Sequence, residues 1–159
     1  MSIIAVGYVR LMAAHPDEAN RLIDDLGFLL SRAGGLLIAS ANTALEPLGL
    51  KARSYSVLVT AAEHAHGVNQ RRIAEILALD PSQIVGIVDE LEHRGLVERR
   101  LDPADRRNKL IFATDDGLAL RTRAQREVAR AHTDFFDGVP AAASAQLRKV
   151  LQDTLFPDH

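Results

Sequence analysis

From Glu18 to about Thr43 the apolar residues Leu22, Ile23, Leu26, Leu29, Leu30, Leu37 and Ile38 recur at spacings of one, three and four, which predicts an amphipathic helix. Gly34 and Gly35 each weaken its middle by about 1 kcal/mol relative to alanine, and close packing against a partner helix would explain their presence. Pro47 and Gly49 break the pattern. A second helix then reads from Ser54 to His64 with Tyr55, Leu58, Val59 and Ala62 inward, and Gly67 ends it. Asn69 is an N-cap for a short third helix in which Ile73, Ile76 and Leu77 face the core while Gln70, Arg71 and Arg72 stay exposed at its start. Asp80 and Pro81 open a fourth, since an aspartate accepts free backbone amides and proline suits the first helical position. Its inward face is Ile84, Ile87, Val88 and Leu91, and Gly95 closes it.

The stretch LVERRLDPADRRNKLIFATDDG, residues 96 to 117, changes period. Leu96, Val97 and Leu101 precede a turn at Asp102-Pro103-Ala104-Asp105, and Leu110, Ile111 and Phe112 follow it, so a two-stranded antiparallel hairpin is expected. Thr114 with Asp115 and Asp116 behind it starts a fifth helix, which runs to about Asp137 and stops at Gly138. A sixth, Pro140 to Leu155, carries Leu147, Val150, Leu151 and Leu155 on one face. The expected fold is therefore mainly α with a small antiparallel β-hairpin. The third and fourth helices, joined by Ala78 to Asp80, form a helix-turn-helix candidate, and the hairpin behind them makes it a winged helix. Such a helix pair also serves packing alone in many domains.

Charge sharpens the picture around the hairpin. Residues 94–109 hold six cations (Arg94, Arg99, Arg100, Arg106, Arg107, Lys109) against three anions (Glu98, Asp102, Asp105), a net of +3, so the rest of a chain at −2 overall carries −5. A protein with that balance does not hold nucleic acid by bulk charge, and any such binding rests on local clustering. With 159 residues and 47% hydrophobic content, one domain with a modest core is expected. No continuous apolar run reaches the roughly 18 residues of a membrane span, and the apolar start is interrupted by Arg10, so the reading is a soluble, unexported, cytoplasmic protein without a membrane partner. The absence of cysteine excludes disulfides, thiolate metal sites and sulfur-based redox sensing.

The segment LEHRGLVERRLDPADRRNKLIFATDDG, residues 91–117, resembles the multiple antibiotic resistance regulator (MarR) family, whose members read roughly L-E-x-x-G-L-V-x-R, then D-P-x-D-R-R, a strand, and T-x-x-G. The resemblance implies a homodimeric winged-helix transcription regulator, acting as a repressor, that binds double-stranded DNA at pseudo-palindromic operators. It implies a division into an N-terminal extension (1–17), a helical dimerisation region (18–50 and 114–159) and a winged helix-turn-helix lobe (51–113). It also implies release by a small anionic or phenolic ligand bound between the dimer interface and that lobe. Carried over residue by residue, Ser82 and Gln83 begin the recognition helix, where a hydroxyl and an amide can read base edges. Arg106 and Arg107 match the wing-tip arginines that enter the minor groove, with Asp105 orienting one of them. Arg71, Arg72, Arg99 and Arg100 are candidates for phosphate contacts. The chain departs from many relatives at Gly86 and Glu90, where arginine is frequent, so either the helix approaches the groove more closely or base readout is sparse and shape supplies selectivity.

Other chemistries fit less well. An enzyme using Asp102, Asp105 and nearby histidines would set its carboxylates in a wet, cation-rich turn, a poor place to raise a carboxylate pKa. His64 and His66, with Glu63 nearby, are two apart and do not share a helix face, so neither a metal nor another cofactor is expected. Tyr55, His64 and His132 are positions for a ligand cleft without an assignment, and a winged helix serving protein contact alone is the remaining alternative.

Overall fold

The computed structural model describes residues 22–157. The expected extension (1–17) and the first residues of the expected N-terminal helix (18–21) lie outside them. Helix α1 spans Leu26–Leu45 and therefore begins later than the periodicity implies. The reason is local: the Asp25 carboxylate accepts the Phe28 N–H at 2.6 Å, capping a new helix and breaking the chain from Leu22. A 3-10 turn (Glu46–Leu48) and Gly49 lead into α2 (Ala52–Glu63). Then follow a two-residue strand β1 (Val68–Asn69), α3 (Gln70–Leu77), α4 (Pro81–His93), β2 (Val97–Leu101), β3 (Lys109–Ala113), α5 (Asp115–Phe135) and α6 (Ala141–Leu155).

The hairpin proves to be part of a three-stranded sheet. The order is β1-β3-β2, all antiparallel, with Val68 opposite Ile111 and Arg99 opposite the same residue on the other side. The added strand brings the chain just before α3 against the wing, so the helix-turn-helix and the wing share backbone hydrogen bonds. Gly67 makes this approach feasible: its φ is 80°, and a Cβ there would lie 2.5 Å from the Phe112 ring on β3.

The three expected caps are present. The Asn69 carboxamide accepts the Arg72 N–H and the Asp80 carboxylate accepts the Ser82 N–H, both at 2.8 Å. The Thr114 hydroxyl accepts the Gly117 N–H at 3.1 Å. Between α3 and α4, Ala78 sits in the left-handed region at φ 49°, a conformation that costs a non-glycine residue about 1 kcal/mol. Two backbone bonds fix this bend, Ala78 N–H to Glu75 O and Leu79 N–H to Ala74 O.

The described residues divide into two compact units, Ile38–Arg130 and the described parts of 1–37 and 131–159. In the first, Leu45, Val57, Leu58, Ile73, Ile84, Val88, Leu91, Val97 and Ile111 are fully buried, each stabilising the unit by roughly 1.5–3 kcal/mol. The inward face of α2 is rotated from the expected one: Val57, Leu58 and Ala61 are buried with Ser54 and Thr60, while Tyr55, Val59 and Ala62 are half-buried. Thr60 enters the core because its hydroxyl donates to Ser56 O at 2.9 Å.

Among its described residues the second unit shows no such core. Leu26, Leu29 and Leu30 on α1 are exposed, as are Leu147, Val150 and Leu155 on α6, and α6 buries none of its residues. Averaged over 18 residues, Leu26–Leu48 reaches a mean hydropathy of 1.2, so by length and composition it is apolar enough to cross a bilayer even though Arg32 interrupts the continuous run. The core helix of a soluble protein meets the same test.

Candidate nucleic-acid interface

Helix α4 buries Ile84, Val88 and Leu91 and turns Ser82, Gln83, Val85, Gly86, Asp89 and Glu90 outward. That division follows from the 3.6-residue period and gives the helix one face without core duties. At its start, hydrogen bonds from the Ser82 hydroxyl and backbone N–H hold the Asp80 carboxyl below its usual pKa. Gln83 is exposed, and its carbonyl accepts from Arg53 Nη1 at 3.4 Å. Arg53 lies in the first turn of α2 and is itself exposed, which adds to the face a cation that sequence reasoning missed. Nothing local marks Arg53, because only the packing of α2 on α4 brings it there.

The far half of α4 is acidic, yet its carboxylates are partnered. Asp89 receives Arg99 Nη2 at 2.5 Å, and Glu92 receives Arg99 through both its backbone N–H, at 3.1 Å, and its guanidinium. Glu90 faces Arg94 at 3.7 Å, and Arg94 donates onward to Gly49 O at 2.6 Å and Leu48 O at 3.3 Å. Burial alone would lower the pKa of Arg99, but the bonds to Asp89 and Glu92 outweigh it and raise the value. The phosphate role expected for Arg99 therefore has no support in its geometry: its guanidinium ties the wing to α4.

Arg100 points elsewhere. It pairs with Glu98 and lies 4.6 Å from the centroid of the Phe112 ring, stacked along the sheet but still largely exposed. Arg71 and Arg72, exposed on the first turn of α3, share the Glu75 carboxylate at 3.2 and 3.4 Å. One anion against two cations leaves a net positive charge on that turn.

The wing tip, residues 102–108, is organised around Asp105. One carboxylate oxygen accepts the Arg107 N–H at 3.1 Å and Nε at 3.3 Å, while the other accepts the Asn108 amide at 3.2 Å. Asp102 accepts the Ala104 N–H at 2.8 Å, and backbone bonds run from Asn108 N–H to Asp105 O and from Asp102 N–H to Asn108 O. Arg107 thus leaves a preformed turn with one edge of its guanidinium held and the rest in solvent. Arg106 beside it is exposed and has no ion-pair partner among the described residues.

Ala44, Pro47 and Leu48, together with Arg123, Arg126 and Glu127, line an open cleft of about 320 Å³. None of Tyr55, His64 and His132 lines it. Burial raises the pKa of the Tyr55 hydroxyl, with the Arg121 charge opposing and Glu63 reinforcing the shift. His64 Nδ1 lies 2.7 Å from Thr60 O. Among the described residues no group of three or more metal-ligating side chains occurs.

Residues 50–109 match the model of the MarR family. The crystal structure of a MarR-family transcriptional regulator from Rhodococcus sp. RHA1 is similar over 86% of this chain and 96% of its own, with 57% identity and a TM-score of 0.82. CouR from Rhodococcus jostii RHA1 bound to p-coumaroyl-CoA is also 57% identical, over 87% of this chain and 96% of its own, with a TM-score of 0.77. A transcriptional repressor, CouR, bound to a 23-mer DNA duplex shares 30% identity over 84% of this chain and 94% of its own, with a TM-score of 0.73. The wing, its capping residues and these likenesses agree, and the chain belongs to the MarR family of transcription regulators.

Proposed function

We propose that this chain is a homodimeric, sequence-specific DNA-binding repressor that reads a pseudo-palindromic operator and leaves it when an aromatic acyl-CoA thioester binds. The observation that carries the reading is the wing tip: two exposed arginines on a turn prebuilt by Asp105, in the same compact unit as the outward face of α4. In this arrangement α4 occupies the major groove with Ser82 and Gln83 toward base edges, and Arg106 and Arg107 enter the adjoining minor groove, where a guanidinium gains most from the concentrated negative potential. Arg71, Arg72, Arg100 and the added Arg53 reach phosphates. Arg99 is withdrawn from that group because Asp89 and Glu92 engage it.

The exposed apolar residues of α1 and α6 favour a second copy of the chain as their cover, which makes 18–50 and 114–159 the dimerisation region and 51–113 the reading lobe, with 1–17 as an extension. Two lobes then meet half-sites about 34–36 Å apart, one helical turn. The function is binding rather than catalysis, and its place is the cytoplasm, beside the chromosome.

For the ligand, the 57% identity to a protein bound to p-coumaroyl-CoA is the guide. Such a thioester is phenolic at one end and polyanionic at the other. The cleft at Ala44, Pro47 and Leu48 offers an apolar wall, and Arg123 and Arg126 offer cations for phosphate. Release requires that the thioester favour a dimer shape with lower operator affinity.

The test is a mobility shift on genomic fragments selected with the purified protein, in the presence of excess nonspecific duplex and across a salt series. A competitor-resistant, salt-dependent shift that micromolar p-coumaroyl-CoA abolishes supports the whole reading. No competitor-resistant complex, even at low salt, would overturn the repressor assignment in favour of a protein-contact adaptor. A specific complex indifferent to the thioester would overturn only the inducer class.

A further inference from the structure

The outward face of α4 carries one large apolar side chain. Val85 is 44% exposed and shares a stripe with Ser82, Gly86 and Asp89, at helical spacings of three and four. Its polar neighbours already hold partners: the Ser82 hydroxyl bonds Asp80, the Gln83 carbonyl receives Arg53, and Asp89 receives Arg99. Gly86 adds nothing to the stripe, and a Cβ built there meets no atom within 4 Å. Between Gln83 and Asp89, therefore, no outward side chain is longer than valine, and the helix backbone can come close to a flat surface. In the major groove the apolar group that base edges present is the thymine C5-methyl, and small apolar side chains are its usual contacts.

Resting on the reading that α4 enters the major groove, we propose that Val85 is a specificity-determining residue that packs against a thymine methyl in each half-site. Valine offers the groove no hydrogen bond, so it selects thymine by excluding water from two apolar surfaces. The stiff β-branched rotamer favours this, because little side-chain freedom is lost on contact. Gly86 contributes by leaving the path to the base edge open.

The experiment compares the full chain with Val85→Ala on the selected operator, replacing each thymine in turn by deoxyuridine, which removes only the methyl. One position per half-site is expected where the loss weakens the natural chain about fourfold, equivalent to roughly 0.8 kcal/mol for one buried methyl, and about 15-fold when both half-sites are changed. Val85→Ala is expected to bind the thymine operator more weakly, to be indifferent to that replacement, and to melt with the natural chain, since the residue lies outside the core. Identical uridine sensitivity in the two proteins overturns the assignment while leaving groove binding intact. Failure of the natural chain to bind any duplex specifically overturns groove binding itself, and the Val85 contact with it.

Discussion

The base and the tip of the wing use arginine in opposite ways. At the base, the Arg99 side chain is 14% exposed and divided between two carboxylates of α4; at the tip, that of Arg107 is 92% exposed with one edge on Asp105. The difference separates a cation that completes the fold from one left in solvent. Desolvation decides which is which: a mostly hidden guanidinium must be matched by anions within the chain, whereas a solvated one retains donors for phosphate or groove atoms. The base is further secured by Thr114, whose N–H donates to Leu96 O at 3.1 Å and whose hydroxyl donates to Gly95 O at 2.6 Å.

The largest expected effect lies at the base and involves no charge. A Cβ at Gly117 would meet Leu96 O at 2.0 Å, so Gly117→Ala must push the start of α5 away from the strand entry. A loss on the order of 3 kcal/mol is expected, seen as a melting temperature lower by roughly 6–12 °C. A variant melting with the natural chain would show that this approach is not tight. Next comes Arg99→Gln, which strands Asp89 and Glu92. Because both carboxylates are partly solvated, the loss is expected at about 2 kcal/mol rather than the larger value of a fully buried pair. The salt dependence of operator binding should stay the same. An unchanged melt with a shallower salt slope would return Arg99 to the phosphate contacts.

Much of the fold was legible because its signals are local. Asn69, Asp80 and Thr114 announce helix starts through bonds spanning two or three residues, and the winged order follows from those starts and the turn at 102–105. Strand β1 was not legible: Val68 and Asn69 give no alternation to read, and their strand identity comes entirely from pairing with Leu110 and Ile111. The face of α2 was displaced because buried Thr60 looks polar in sequence yet satisfies its hydroxyl within the helix. At the interface, the DRR tip could be located by resemblance, and Asp105 does hold Arg107. Arg99 and Arg100 read alike as neighbours, but strand alternation sends one toward α4 and the other onto Phe112. Arg53 and Val85 were missed because exposure and proximity on α4 are properties of packing. Periodicity marked the apolar stripe of α1, but the identity of its cover is not encoded there.

The tip now carries the central claim, and a paired titration tests it most directly. Operator affinity is measured against salt for the natural chain and for the chain with both Arg106→Ala and Arg107→Ala, alongside thermal melts of each. The logarithmic salt slope should become shallower by about two units while the melting temperature holds, because the altered side chains are solvated in the free protein. Equal slopes for the two proteins would contradict the account, leaving the tip an ordinary solvated turn.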